Sequence, residues 1–202
     1  MNREQFARDF DVPRGTLERL DTYVALLAKW NPAINLVSKT TLADAWLRHI
    51  ADSAQLMPLV PEGARTLVDI GSGAGFPGLV LAILGVPEVH LVESDTRKCT
   101  FLREVARATG TPVAVHAVRI ENAPDIRADV VSARALASLA ELLPMAERFL
   151  EKGGVCLFPK GKGAADELIL ARESWNMRVE QFPSRTDPSA TLLRLGEIAR
   201  VP

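Results

Sequence analysis

A glycine-rich segment of the chain offers main-chain atoms to a ligand. Residues 68–78 read Val-Asp-Ile-Gly-Ser-Gly-Ala-Gly-Phe-Pro-Gly, so an apolar run leads directly into a turn. Glycine permits positive φ values and lets a ligand approach the backbone closely. Pro77 suits the first turn of a helix that follows. The spacing predicts a binding site beyond the carboxyl end of the first strand, formed by Gly71, Gly73 and Gly75.

Two carboxylates near this turn indicate what kind of ligand it binds. Glu93 follows the glycines by about twenty residues, where an acid that binds both hydroxyls of an unphosphorylated ribose is expected. Asp69 stands just before the first glycine, where it can meet an ammonium directly or through water but repels a pyrophosphate. The two acids favour S-adenosylmethionine. Gly73-x-Gly75-x-x-Gly78 also matches the dinucleotide-binding pattern, so an NAD-dependent oxidoreductase stays an alternative.

The other reactive side chains fit methyl transfer without a covalent enzyme intermediate. Cys99 lies on an apolar helical stripe and Cys156 within an apolar strand, and neither has an activating partner, so both are expected in the core. The residues after the fourth predicted strand lack the motif of amino-group methyltransferases. One of them, Arg134, is expected at the ligand-facing edge of the sheet. No metal site is predicted.

The elements that position these residues alternate between strands and helices after Arg65. Apolar runs predict strands over 66–70, 88–92, 113–116, 128–132 and 154–158. Helices are predicted over 76–84, 96–108, 136–150 and 164–172. Such alternation indicates right-handed βαβ units and a parallel sheet. Two last strands, 175–182 and 190–198, have a link too short for a crossover helix and should be antiparallel to each other. The expected fold is α/β, the class I (Rossmann-like) methyltransferase type: a mostly parallel seven-stranded sheet with a C-terminal antiparallel hairpin.

Residues 1–62 are predicted to form an N-terminal helical extension, and residues 63–202 the methyltransferase domain. Starting at Leu17, apolar residues recur at intervals of three and four, which predicts a helix. This helix should stop at Trp30-Asn31-Pro32, because the residue before proline avoids the α region. A second helix is expected from Thr41, with Asp44 in a capping box. Prolines near residue 60 should end it.

Composition limits the partners and the location. The 202 residues carry a formal net charge of -1, so any contact with nucleic acid must come from a local basic patch. The amino-terminal residues lack the apolar stretch of a signal peptide, and the longest apolar run, 76–87, is too short to span a bilayer. The expected protein is cytoplasmic, without membrane contact. Sequence does not fix the oligomeric state; a monomer is the expectation.

Several short motifs carry a family resemblance over nearly the whole chain. Together they resemble the RsmG (GidB) family of bacterial small-subunit rRNA guanine-N7 methyltransferases. The motifs are Trp30-Asn31, Asn35-Leu36-Val37-Ser38, the segment 48–53, the glycine turn with Phe76-Pro77-Gly78, the segment 93–98, Arg119-Ile120-Glu121, the segment 132–135 and Pro159-Lys160-Gly161.

The resemblance implies a reaction and roles for single residues. The methyl group of S-adenosylmethionine would pass to N7 of a guanine in 16S rRNA, leaving S-adenosylhomocysteine. The substrate would be one of three forms of this RNA: the free RNA, the small ribosomal subunit or an assembly intermediate of that subunit. A non-catalytic RNA-binding assembly factor that keeps the fold is a further alternative. The roles implied are cofactor contact for Gly71 and Phe76, a place beside the adenine for Ile120 and Glu121, a place facing the substrate for Arg134, and polar positions near the active site for Asn35 and Arg119.

Four basic or titratable residues are candidates for RNA contact. Lys160 and Lys162 follow the fifth predicted strand at the ligand-facing edge and could hold phosphates, although a solvated loop is nearly as good an interpretation. His49 lies on the apolar stripe of its helix, which favours a packed, hydrogen-bonded histidine over a substrate contact. Arg48 has an aspartate four residues away on either side, so pairing on the helix surface competes with RNA binding.

Overall fold

The computed structural model describes residues 1–201 and contains one seven-stranded sheet in the order β3-β2-β1-β4-β5-β7-β6. Strands β1 to β5 run parallel, while β7 is antiparallel to both β5 and β6. The predicted fold is confirmed. The strands are β1 Thr66–Ile70, β2 Glu88–Glu93, β3 Ala114–Ala117, β4 Ala128–Ser132, β5 Leu150–Lys160, β6 Trp175–Pro183 and β7 Thr191–Arg200.

Eight α-helices flank or precede this sheet among the described residues. Four follow strands of the sheet, and the others form the N-terminal segment together with short π and 3₁₀ turns. The helices are α1 Arg3–Asp9, α2 Arg14–Ile34, α3 Lys39–Ala43, α4 Asp52–Ala54, α5 Gly78–Leu84, α6 Thr96–Thr109, α7 Leu139–Glu147 and α8 Ala164–Arg172.

Helix α2 continues past the point where the sequence pattern predicted its end, so that prediction is wrong. It runs through Pro32 and ends at Ile34, with Asn35 in the left-handed region at φ 50°. Pro32 is exposed and stands in the last turn, where a proline removes only one helical hydrogen bond. The Asn31 side chain then holds the following loop, donating to the Val37 carbonyl and accepting from its N–H at 3.0 and 2.8 Å.

The second predicted helix is divided into three pieces. Ser38, rather than Thr41, caps α3 by accepting a hydrogen bond from the Thr41 N–H at 3.2 Å, so the predicted capping box is wrong. A π-helical turn follows over Trp46–Ala51 and leads into α4. Such turns are frequent at functional sites because the extra residue re-aims the side chains of that turn.

The two faces of the sheet have separate cores. One core joins α5 and α6 to the N-terminal helices through residues such as Leu20, Tyr23 and Phe101. The other lies under α7 and α8. The N-terminal helices therefore share a core with the sheet. No helix in residues 1–201 is both long and apolar enough to cross a membrane.

The loop between β4 and α7 is longer than predicted. Helix α7 begins at Leu139 instead of Leu136, because Ser138 and Glu141 form a capping box at its start. Residues 133–138 are thereby left as a loop at the carboxyl edge of the sheet, and this loop carries Arg134.

Candidate active site

A cavity of about 480 Å³ lies at the carboxyl ends of β1, β2, β3 and β4. The strand order reverses between β1 and β4, which is where ligands of open α/β sheets bind. We call this the first cavity. It is lined by Gly71, Gly73, Val92, Glu93, Ser94, Lys98, Val118, Arg119, Ile120, Glu121, Arg134, Ala135, Leu136 and Met145.

The glycine turn forms one wall of the first cavity, and the N-terminal helices support it from behind. Gly73 has φ 57°, and a Cβ there would meet nothing closer than 3.9 Å. Gly75 has φ 96°, and its Cβ would lie 2.5 Å from the Tyr23 hydroxyl. That hydroxyl donates a hydrogen bond to the carbonyl of Ala74. The turn is thus open on the cavity side and closely packed on the other.

Glu93 stands where a ribose-binding acid was predicted. Its side chain lines the first cavity although the residue is only 8% exposed. Oε2 accepts from the Gly73 N–H at 2.9 Å and Oε1 from the Asp95 N–H at 2.8 Å. These two bonds fix the carboxylate against the turn. Each oxygen keeps further acceptor capacity for a ligand hydroxyl.

Asp69 lies beneath the turn and is not on the wall of the first cavity. It is fully buried, and Oδ1 accepts from the hydroxyl of Ser132, its partner on β4, at 2.6 Å. Oδ2 has no partner among the described residues. Burial raises the pKa of Asp69 to about 6, and the hydrogen bonds only partly oppose this. The expected contact with an ammonium therefore has to pass through the turn or a water molecule.

Arg134 is held in the loop after β4 by the N-terminal segment. Its Nη1 lies 3.0 Å from Asp52 Oδ2 and 3.0 Å from the Arg48 carbonyl oxygen. Its Nη2 lies 3.1 Å from His49 Nδ1, and its Cζ lies 4.9 Å from the centre of the Phe76 ring. Four contacts fix the orientation of one guanidinium.

Phe76 belongs to an aromatic stack and not to the wall of the first cavity. Its ring is stacked on Tyr23 at 5.2 Å and on His49 at 4.9 Å, and the residue is 4% exposed. The cofactor contact that the resemblance implies for Phe76 stays a prediction. The stack connects α2, the glycine turn and the π-helical turn.

His49 is neutral in this environment. Burial and the charge of Arg134 lower its pKa to about 3. Nδ1 faces the Arg134 guanidinium and accepts, so the ring hydrogen lies on Nε2, which is buried without a partner in the described chain. The packed-histidine interpretation agrees with this burial.

A second cavity of about 470 Å³ adjoins the first and shares Arg134 and Ala135 with it. It lies between the π-helical turn, the end of β5 and the loop before β7. Its lining consists of Thr41, Arg48, His49, Asp52, Arg134, Ala135, Ala137, Pro159, Lys160, Gly161, Glu167, Asp187 and Ala190.

Lys160 holds the loop that carries Arg134, so it is not a solvated lysine. Its side chain is 8% exposed, and Nζ lies 2.8 Å from Glu167 Oε2 and 2.8 Å from the Ala137 carbonyl oxygen. Glu167 Oε2 also accepts from the Leu139 N–H at 2.6 Å. We call Lys160 and Glu167 the loop brace. It fixes a loop in which Ala135 adopts φ 53°, a costly value for a residue with a Cβ.

Three of the predicted positions differ from expectation. Asn35 is exposed at the end of α2 and lines neither cavity. Arg48 pairs with Asp187 at 3.5 Å and not with the acids of its own helix, so that pairing was wrong. Lys162 is exposed outside both cavities.

The structure places Arg119, Ile120 and Glu121 in the wall of the first cavity, as the motif implied. Lys98 and Leu136 are among the lining residues that sequence reasoning did not single out. Lys98 stands in the first turn of α6, shortly after β2, and this position puts it at the cavity. Leu136 was assigned to a helix, and it packs against Gly71, where an added Cβ would lie 2.7 Å from its Cδ1.

Residues 1–201 contain no group of three or more histidine, cysteine or carboxylate side chains that could hold a metal ion. Both cysteines are buried, and burial raises the pKa of each thiol. The Cys99 thiol lies 3.2 Å from the Glu93 carbonyl oxygen. Both are core residues, as predicted.

Comparison with known proteins identifies relatives along almost the whole chain. A family model described as "GidB: rRNA small subunit methyltransferase G" matches residues 16–191. The Ribosomal RNA small subunit methyltransferase G of Rhodospirillum centenum is 70% identical, over 96% of this chain and 90% of that protein. The protein of the same name from Paramagnetospirillum magneticum is 56% identical, over 99% and 98%.

Solved structures agree on the fold. The ribosomal protein L11 methylase of Lactobacillus delbrueckii subsp. bulgaricus superposes with a TM-score of 0.59 at 21% identity, over 73% of this chain and 76% of that one. TYW2 of M. jannaschii, solved in complex with AdoMet, gives 0.58 at 16% identity, over 76% of each chain.

Proposed function

This chain belongs to the family described as GidB, rRNA small subunit methyltransferase G, and from that premise we propose that it methylates N7 of a guanine in 16S rRNA. Its reaction is the S-adenosylmethionine-dependent methylation of small-subunit rRNA. The main structural support for this proposal is that two cavities meet at Arg134. One cavity suits a nucleoside cofactor, and the other lies where a base would meet it.

The residues of the first cavity fit S-adenosylmethionine. Glu93 offers acceptors for two ribose hydroxyls, and the wall formed by Ile120 and Glu121 suits the adenine. The open side of Gly73 leaves room for the methionine part. The unpartnered Oδ2 of Asp69 provides a buried negative charge toward an ammonium. When bound, the cofactor supplies an electrophilic methyl group on a sulfonium.

Guanine N7 needs no general base, because it carries a lone pair and no proton. The chain must then act mainly by holding the base in line with the methyl group, and such positioning can contribute about 7–11 kcal/mol. Arg134 lies between the cavities and is fixed by its acceptors, so it can orient a base without first being ordered.

The pairing of Arg134 with Asp52 also suits the charge of the product. N7-methylguanine is cationic, and an unpaired arginine beside it would oppose the reaction. The Asp52 carboxylate at 3.0 Å offsets that charge. His49 has its pKa lowered to about 3 and adds no second positive charge at neutral pH.

The roles of Arg119 and Asn35 differ in their support. Arg119 lines the first cavity, so it is retained as a residue that contacts cofactor or base. Asn35 lines neither cavity, and a role in catalysis would require contact through bound RNA. The division at residues 62 and 63 is likewise a proposal. It is supported by the change from helices alone to the strand–helix alternation.

Methyl transfer to unmethylated small subunits tests the proposed function. Subunits from a strain without this gene are incubated with the protein and S-adenosylmethionine, and the RNA is digested to nucleosides. We expect 7-methylguanosine to appear in the treated sample alone. A different methylated nucleoside, or 7-methylguanosine that persists in the deletion strain, would refute the proposal.

A further inference from the structure

The second cavity has the size and place of a nucleobase site. Its volume of about 470 Å³ falls among those of small-molecule pockets, roughly 300–1,000 Å³. Arg134 and Ala135 belong to both cavities, whereas Lys160 and Glu167 line the second alone. Arg134 therefore stands at the junction of the two cavities, and Glu167 belongs to the wall of the second.

The chemistry of guanine determines which edge of the base faces the second cavity. N7 belongs to the five-membered ring, and the N1–H and 2-amino donors lie on the opposite side of the base. When N7 is presented to the first cavity, these two donors point back into the second. A carboxylate oxygen is the acceptor that suits them, since charge-assisted hydrogen bonds are the strong ones.

Two of the three carboxylates that line the second cavity are already engaged. Asp52 binds Arg134 through Oδ2 and accepts from a threonine hydroxyl through Oδ1 at 2.6 Å. Asp187 accepts from the N–H and hydroxyl of Ser189 through Oδ1, and its Oδ2 faces Arg48 at 3.5 Å.

Glu167 differs because only one of its oxygens is used. Oε2 is held by Lys160 Nζ and by the Leu139 N–H. Oε1 receives no hydrogen bond within residues 1–201, and the side chain is 29% exposed at the cavity. The carboxylate is thus fixed at one oxygen and offers the other, as a preorganised acceptor does.

We propose that Oε1 of Glu167 accepts a hydrogen bond from the 2-amino group of the target guanine, and so selects guanine over other purines. The inference rests on the proposed function, because it assumes that N7 faces the first cavity. Adenine and hypoxanthine lack the 2-amino group, so neither can form this bond. Glu167 is therefore a specificity-determining residue as well as part of the loop brace.

Binding of free nucleotides tests the proposal without methyl transfer. The protein, loaded with S-adenosylhomocysteine, is titrated with guanosine and inosine 5′-monophosphates, which differ only in the 2-amino group. We expect the wild type to prefer the guanosine nucleotide by at least about fivefold, the lower end for a specific base contact. Glu167→Gln should abolish the preference, because the amide must keep its oxygen toward the Leu139 N–H and turns a donor to the base.

A matched control variant separates recognition by Glu167 from a general effect of the substitution. Glu173→Gln makes the same change at an exposed glutamate at the end of α8 and should behave as wild type. Equal binding of both nucleotides by the wild type, or no binding of either, would overturn the proposal. So would an equal loss of preference in Glu173→Gln.

Methyl transfer to small subunits distinguishes this inference from the proposed function. Glu167→Gln should lower kcat/KM for unmethylated subunits by at least about fivefold, with an unchanged Kd for S-adenosylmethionine. Wild-type activity in this variant would overturn the role of Glu167 while leaving the proposed function intact. A guanosine preference that depends on Glu167, in a protein that does not methylate N7, would refute only the proposed function.

Discussion

Asp52 Oδ2 lies 3.0 Å from Nη1 of Arg134, which is 82 residues further along the chain. The contact connects α4 to the loop after β4. Because both side chains are mostly buried, at 20% and 17% exposure, it has more effect on geometry than a surface ion pair would. The N-terminal helices thereby orient the cation that stands between the two cavities.

Replacement of Arg134 should abolish most of the activity. We expect Arg134→Ala to lower kcat by about 100-fold, the cost of misplacing reactants by about an ångström. Loss of one partner of a partly buried pair should also lower the free energy of unfolding by about 1–2 kcal/mol. Single-turnover methylation of small subunits and urea denaturation measure the two effects.

The matched control for this change is Asp52→Asn, which leaves Arg134 in place and removes only the opposing charge. We expect a smaller fall in kcat from this variant, because the Arg48 carbonyl and His49 still hold the guanidinium. Near-normal turnover in Arg134→Ala would remove Arg134 from the mechanism.

Replacement of Glu93 should weaken cofactor binding. Glu93→Ala removes an acceptor for the ribose and also leaves the Gly73 N–H without its partner. We expect the binding free energy of S-adenosylmethionine to weaken by about 1.5–3 kcal/mol, the range for hydrogen bonds to charged groups. Isothermal titration calorimetry measures it. The control is Glu88→Ala, at the exposed start of the same strand, and this variant should bind S-adenosylmethionine normally. An unchanged Kd in Glu93→Ala would mean that another residue holds the ribose.

The sheet and much of the first cavity were predictable from sequence because their signals are local. The β1 and β4 strands are short apolar runs whose bounds match the structure. Glu93 follows the glycine turn at the spacing that parallel strands impose. The end of α2 was not predictable, since it depends on the bonds of Asn31 to a loop that follows.

The loop brace and the aromatic stack show why the rest was not predictable. Lys160 looks like a loop lysine in the sequence, and only its contact with Glu167 and the Ala137 carbonyl makes it a structural residue. Phe76 directly follows the glycines, and the local sequence does not indicate what its ring packs against. Its burial against Tyr23 and His49 depends on helices packed from elsewhere in the chain.

The buried Asp69 should make stability depend on pH. Its pKa is raised from 3.8 to about 6 by burial, so between these values the native state keeps a proton that the unfolded state loses. Stability from this group is therefore present below about pH 4 and is lost as pH rises through about 6. The free energy of unfolding of wild type relative to Asp69→Asn should fall by about 2–2.5 kcal/mol between pH 4 and 7.

Urea denaturation of both proteins at several pH values measures this difference. The contributions of the other carboxylates to the pH dependence cancel, because both proteins contain them. A constant difference across the range would contradict the raised pKa of Asp69.

Cofactor binding gives a second readout of the Asp69 charge. If Asp69 meets the ammonium, then affinity for S-adenosylmethionine should weaken below about pH 6 in the wild type and be insensitive to pH in Asp69→Asn.

The two glycines of the turn should respond differently to the same substitution. Gly73→Ala places a Cβ in open space, so its cost is that of a left-handed φ, about 1–2 kcal/mol. Gly75→Ala carries that cost and also drives a Cβ to 2.5 Å from the buried Tyr23 hydroxyl. Overpacking should add about 1–3 kcal/mol and disturb the bond that Tyr23 donates to the turn. Denaturation should show the larger loss of stability for Gly75→Ala, and equal losses would mean that Tyr23 does not support the turn. Cofactor titration should show weaker binding for Gly73→Ala as well, because its Cβ enters the space left for the methionine part.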